Sequence, residues 1–171
     1  MTTPGAGRAE VVVDLDAIAA NTAVLRERVG RPLMAVVKAD GYGHGLVPAA
    51  RAVLAGGADA LGVAVVDEAL ALRAAGVTAP VLAWLNGPGA DVAAAMAADV
   101  ELSVNAGWGL DEVVAAARAA GRPARVHLAV DTGLSREGAT PDVWPDLALL
   151  CGYAVVAVAV AVRLYGRSAR R

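Results

Sequence analysis

Leu33-Met34-Ala35-Val36-Val37-Lys38-Ala39-Asp40-Gly41-Tyr42-Gly43-His44-Gly45 reads as an unbroken apolar strand, 33–37, that ends on a lysine and opens into a glycine-rich loop over 40–45. An apolar run without polar alternation suits a strand enclosed on both faces, as parallel strands covered by helices are. A helix is expected next, over 47–55, and the same order of strand, loop and helix recurs along the chain. Further strands are expected at 10–15, 60–65, 80–85, 100–104 and 125–130. The expected helices are 16–28 with Asp16 as N-cap, 67–75 closed by Gly76, 91–98, and 110–120 stopped by Gly121 and Pro123. Units recur at roughly 25 residues, a spacing that points to βαβ units and a parallel sheet. The glycines of 41–45 do not have the dinucleotide-binding spacing. The polar loops 40–45, 86–89 and 131–138 all follow strands, where a (β/α) barrel places its chemistry. The fold class expected is therefore α/β, a partial (β/α)8 TIM-type barrel of about five βα units. A full barrel needs ~250 residues, so these units alone do not close one.

Composition narrows the function. With 171 residues, 57% of them apolar, the chain has material for one good core. A formal charge of −2 and no basic stripe leave no electrostatic footprint for nucleic acid. The single cysteine, Cys151, reads as a small buried hydrophobe. Residues 1–10 lack the apolar core of a signal peptide, so a cytoplasmic location is expected. Three segments are expected: a disordered start at 1–9, the incomplete barrel at 10–147, and an atypical apolar tail at 148–171. From Leu147 to Val162 there is no charge, and Arg163, Arg167, Arg170 and Arg171 follow. This run is shorter than the ~20 apolar residues of a membrane span and is rich in alanine, so a buried strand or disordered terminus is expected instead. The usual stop and turn signals are missing there, as in a chain cut short or read out of frame near Leu147.

The basic residues are lopsided. Of the 15 lysines and arginines, Lys38 is the only lysine. A composition this rich in alanine, glycine, arginine and valine fits a GC-rich genome, which replaces lysine by arginine wherever charge alone matters. Arginine stays protonated, whereas lysine can lose its proton and act as a nucleophile toward a carbonyl. The one amine kept is thus singled out, although composition alone leaves an accidental surface lysine as an equal reading.

The segment Ala35 to Gly45 resembles, almost residue for residue, the signature of bacterial alanine racemases. The resemblance implies that Lys38 carries pyridoxal 5'-phosphate covalently and then serves as one of two proton-transfer bases at the substrate α-carbon. It implies that Tyr42 hydrogen-bonds the cofactor phosphate and that His44 is loop-structural. A second block, Val126 to Gly138, is similar to another racemase run. There Arg136 matches the arginine facing the cofactor's phenolic oxygen and the substrate, a task suited to a fixed, permanently charged fork of donors. Asp131 and Thr132 are expected to shape that loop. Val36 is expected on the wall beside the cofactor, and Trp84 with Leu85 resembles the strand end next to it. The likeness runs from about Ala9 to Leu147.

Two departures matter. Ala129 stands where many racemases have a carboxylated lysine that bonds the arginine. The family's second base, a tyrosine from a carboxyl-terminal β domain contributed across a homodimer interface, has no match here, nor do the later barrel strands. The implied function is conversion of L-alanine to D-alanine for peptidoglycan precursors, by a polypeptide that alone is expected to be inactive or weakly active. No metal is expected, and alanine is the expected small-molecule partner. Alternatives are a pyridoxal-phosphate-binding barrel without catalysis, a fragment of a broad-specificity amino-acid racemase, and a scaffold module in which Lys38 has no special task.

Overall fold

The structure, a computed structural model, describes residues 11–134, 137 and 138 of the chain. Five strands, β1 (Met34–Val36), β2 (Ala60–Val63), β3 (Val81–Ala83), β4 (Glu101–Val104) and β5 (Val126–Leu128), form one sheet in that order. The pairs β1–β2, β2–β3 and β3–β4 are parallel. The helical segments are α1 (Leu15–Val29), α2 (Lys38–Gly43), α3 (Leu46–Ala55), α4 (Val66–Ala74), α5 (Val92–Ala97) and α6 (Gly107–Ala120).

Parallel neighbours need a crossover, and right-handed crossovers that always step to the next strand put the helices on one face. A doubly wound sheet instead reverses its order at a switch point. Here the order never reverses, so the expected α/β fold with part of a TIM-type barrel is the one observed. The helices pack in succession: α1 on α3, α3 on α4, α4 on α5, α5 on α6. Alternation along the strands then decides which residues they cover. Leu61, Val63, Val81 and Ala83 lose all exposure, and Ala50, Ala69, Leu72 and Ala95 meet them from the helices. The ladder row Val36–Gly62–Leu82–Glu101 lies on the opposite face. β5 is exposed along its length.

The start of the chain differs from expectation. Val11–Asp14 belongs to no strand, and Val11 and Val12 are 89% and 79% exposed. The N-cap of α1 is Asp14, not Asp16: the Asp14 carboxylate accepts the Ala17 N–H at 2.9 Å. Asp16 falls in the first turn, where its charge faces the positive end of the helix. α6 begins at Gly107 rather than Leu110; the glycines at 107 and 109, poor helix formers, hid its first turn. The other elements lie within a few residues of the expected spans. The chain divides after His127 into two compact units, the core belonging to the first. The expected limits at 9/10 and 147/148, Cys151 and the apolar tail lie outside the described residues. No helix among the described residues is long and apolar enough to cross a membrane.

At the amino-terminal side of the sheet one side chain ties three segments together. The Arg73 guanidinium donates to the carbonyls of Val77 (2.8 Å), Ala79 (2.7 Å), Ala98 (2.9 Å) and Asp99 (3.0 Å). It so fastens α4 to the loops that lead into β3 and β4. Geometry, not charge, is the requirement, because a lysine ammonium cannot span a planar fan of acceptors. Arg73→Lys is expected to destabilise the fold by about 1–3 kcal/mol, read as a lower urea midpoint at unchanged slope. An unmoved midpoint would mean that water serves these carbonyls equally well.

Candidate active site

β1 ends at Val36, but the Val37 N–H still bonds the Gly62 carbonyl at 2.9 Å, so the ladder holds up to the residue before Lys38. Val37, 2% exposed, points into the helix-covered core, whereas Val36, 40% exposed, faces the other way. Lys38 then opens α2, and α2 is wound in the unusual sense. Ala39, Asp40, Gly41 and Tyr42 have φ of 53°, 54°, 62° and 55° with ψ of 54°, 46°, 37° and 38°. This is a turn of left-handed helix, which costs about 1–2 kcal/mol at each residue carrying a Cβ. Three of the four carry one.

A set of fasteners offsets that cost. The Gly41 N–H bonds the Val37 carbonyl at 2.9 Å and the Gly45 N–H bonds the Asp40 carbonyl at 2.9 Å. The Asp40 carboxylate accepts the Leu46 N–H at 2.7 Å, at the start of α3. His44 Nδ1 lies 2.9 Å from the Gly41 carbonyl and 3.1 Å from that of Tyr42. The Glu68 carboxylate of α4 accepts the Ala39 N–H at 2.6 Å. Gly41 is the buried member, and a Cβ there would stand 2.8 Å from the Ala49 Cβ of α3. Since its neighbours tolerate the same φ with side chains, the glycine is required by the approach of α3 rather than by the dihedral.

A wall stands beside the turn. Gly62 pairs with Val36, and the space above it is taken by the Trp84 ring: a Cβ on Gly62 would overlap Cζ3 and come within 2.6 Å of Cη2. Trp84 follows β3, and its backbone N–H bonds the Val63 carbonyl at 3.3 Å. Of the expected site residues, Lys38 and Tyr42 thus share one turn, Val36 precedes it by two residues, and Trp84 covers Val36's ladder partner. Tyr42 is 59% exposed. Arg136 lies outside the described residues. Asp131, on its loop, accepts the Gly133 N–H through Oδ1 at 2.8 Å.

Sequence reasoning missed three features. Gly62 gave no signal beyond a glycine in a strand, which does hint at close approach. Glu68 looked like one of two acids in the first turn of a helix. Glu101, 8% exposed on the Val36 face, pairs with Arg125 and with His127 Nε2 at 2.7 Å, and nothing in their spacing announced the contact. Among the described residues no cluster of His, Cys, Asp or Glu could hold a metal ion. The turn carries a primary amine and a phenol, Lys38 and Tyr42, next to the apolar and aromatic surface of Val36 and Trp84.

Residues 13–156 match the sequence model of the family described as alanine racemase, N-terminal domain. The chain belongs to the alanine racemase family. It is 60% identical over 141 residues to an alanine racemase of Frankia casuarinae, covering 82% of this chain and 37% of that protein. To one of Mycobacterium ulcerans it is 53% identical over 162 residues, 94% of this chain and 42% of that one. The structure is similar to that of alanine racemase from D-cycloserine-producing Streptomyces lavendulae, with a TM-score of 0.77, 51% identity, and coverage of 87% of this chain and 38% of that chain. Alanine racemase from Bacillus anthracis with bound L-Ala-P gives 0.65 at 35% identity, covering 77% and 36%. The chain spans about two-fifths of the length of the curated relatives it matches.

The Gly41–Ala49 contact is testable. Gly41→Ala is expected to cost about 2–3 kcal/mol, a Cβ forced into packed atoms plus a left-handed residue. Thermal unfolding of Gly41→Ala beside Gly43→Ala, a site with nothing within 4 Å, checks it; equal losses would refute the packing argument.

Proposed function

We propose that this chain is the cofactor-binding part of an alanine racemase and that Lys38 is its pyridoxal-phosphate lysine. The observation that carries the reading is the position of Lys38 at the carboxyl end of β1, where a left-handed turn is fixed by the side chains of Asp40, His44 and Glu68. A loop so constrained serves precise placement rather than connection, since an ordinary right-handed turn would join β1 to α3 at lower cost. Tyr42 on that turn supplies a phenolic O–H for the phosphate group. Val36 and Trp84 supply apolar and aromatic surface for the ring, and Arg136 would face its phenolic oxygen. Bound there, pyridoxal phosphate supplies an electron sink for the charge left when an α-proton is removed.

The protein's own share of the chemistry is to move that proton. Racemisation needs a proton acceptor on each face of a planar carbon. Lys38 serves one face, and no residue of this chain matches the family's tyrosine on the other. L-Alanine and D-alanine are the proposed substrate and product, for peptidoglycan precursors in the cytoplasm. A group supplied by a carboxyl-terminal domain across a homodimer interface would complete the reaction.

Borohydride reduction of the 171-residue chain with pyridoxal phosphate is expected to add one label, on Lys38. Lys38→Arg should leave only the amino terminus to react. The same chain is expected to interconvert L- and D-alanine at no enzyme-like rate by chiral analysis. Label confined to the amino terminus would overturn the lysine assignment, and enzyme-like turnover would overturn the need for a second acceptor from elsewhere.

A further inference from the structure

Resting on the assignment of Lys38, we infer that Glu68 is a positioning residue for that amine, acting through the backbone of the left-handed turn. Its two carboxylate oxygens do different work. Oε2 accepts the Ala64 N–H at 2.9 Å, four residues back, where β2 hands over to α4. This is a local bond of the kind a third-position glutamate makes at a helix start, and it serves α4 itself. Oε1 reaches across to the Ala39 N–H at 2.6 Å, 29 residues away in sequence. That second bond does nothing for α4. It fixes the peptide unit between Lys38 and Ala39, the first of the left-handed turn.

The bond has a physical consequence for the lysine. Rotation of the 38–39 peptide would swing the Lys38 Cα–Cβ vector, and with it the amine at the end of four methylenes. β1 restrains that vector from the amino-terminal side through Val37 and Gly62. Glu68 restrains it from the carboxyl-terminal side, with a charge-assisted bond stronger than one between neutral groups. Asp40 and His44 hold the later part of the turn and leave this peptide to Glu68. The arrangement also ties the turn to the β2–α4 junction, so β1 and β2 present the amine as one body.

Glu68→Gln preserves shape but puts an amide N–H against one of the two backbone donors. With pyridoxal phosphate as the probe on the full chain, the rate of borohydride-trapped labelling at Lys38 is expected to fall about tenfold, the weight of one such bond. Arg73→Lys, at the far side of the sheet, provides a variant of lowered stability that should label at the unaltered chain's rate when compared at equal folded fraction by circular dichroism. Amide exchange of Ala39 and Ala64 gives a readout independent of the cofactor: Ala39 protection should drop in Glu68→Gln while the rest of β2 and α4 stays protected. Labelling slowed equally in both variants, or Ala39 protection unchanged, would overturn the inference. An unaltered chain that never labels Lys38, with Ala39 protection still lost in the variant, would instead sink the lysine assignment and reduce Glu68 to a turn-fixing residue. If Glu68→Gln fails to fold, Glu68→Asp, one methylene short of Ala39, gives the same comparison.

Discussion

The governing constraint is that a parallel strand can reach its neighbour only by a crossover, and these crossovers never reverse direction. From that follows a sheet with one face sealed by helices and one face left over. Leu61, Val63, Val81 and Ala83 are wholly enclosed because each points toward α3, α4 and α5. Their alternate neighbours, Gly62, Leu82 and Trp84, are committed to the opposite face by the pleat alone. Burial on one side therefore determines which residues are free for chemistry on the other. The carboxyl ends of the strands are where that second face meets the loops.

The two ends of the sheet are built by different means. On the amino-terminal side Arg73 collects four carbonyls from three segments, a fan that satisfies backbone groups and reacts with nothing. On the carboxyl-terminal side His44 and Glu68 bond main-chain groups of the left-handed turn, and Asp40 ties that turn to the start of α3. Both ends satisfy backbone polarity, but only the second does so around a residue able to lose its proton and attack a carbonyl. The composition fits this division: Arg73 is one of fourteen arginines, and Lys38 is the single lysine.

The sheet was legible in the sequence because apolar runs such as 33–37 and their glycine stops repeat at a near-constant interval. Gly121 after α6 follows directly from capping chemistry. Asp14 was less legible, since Asp14 and Asp16 are chemically equal and only the path of the chain chooses between them. Lys38, Tyr42 and Val36 were singled out by the motif and Trp84 by its resemblance to a racemase strand end; Lys38 and Tyr42 share one turn, and Trp84 covers the ladder partner of Val36. What the motif could not convey was the winding of 38–43. Alanine and tyrosine rarely take left-handed φ, and aspartate only somewhat more often, so the glycine-rich stretch read as a loop. Contacts from outside the segment impose that backbone, and their partners lie as far as 29 residues away.

The spacing of the motif follows from the same contacts. Gly41 must lack a side chain because Ala49 of α3 comes within 2.8 Å of where one would stand, so the turn and α3 are packed as one piece. Asp40 then has to follow the amine by two residues, since its carboxylate closes on the Leu46 N–H and its carbonyl on Gly45. His44 has to come after Tyr42 to bring Nδ1 back onto the carbonyls of 41 and 42. Each polar residue of Lys38–Gly45 other than the amine and the phenol is thereby occupied with backbone. The spacing that looks like a chemical signature is thus also the set of positions at which a left-handed turn can be fastened between a strand and a helix.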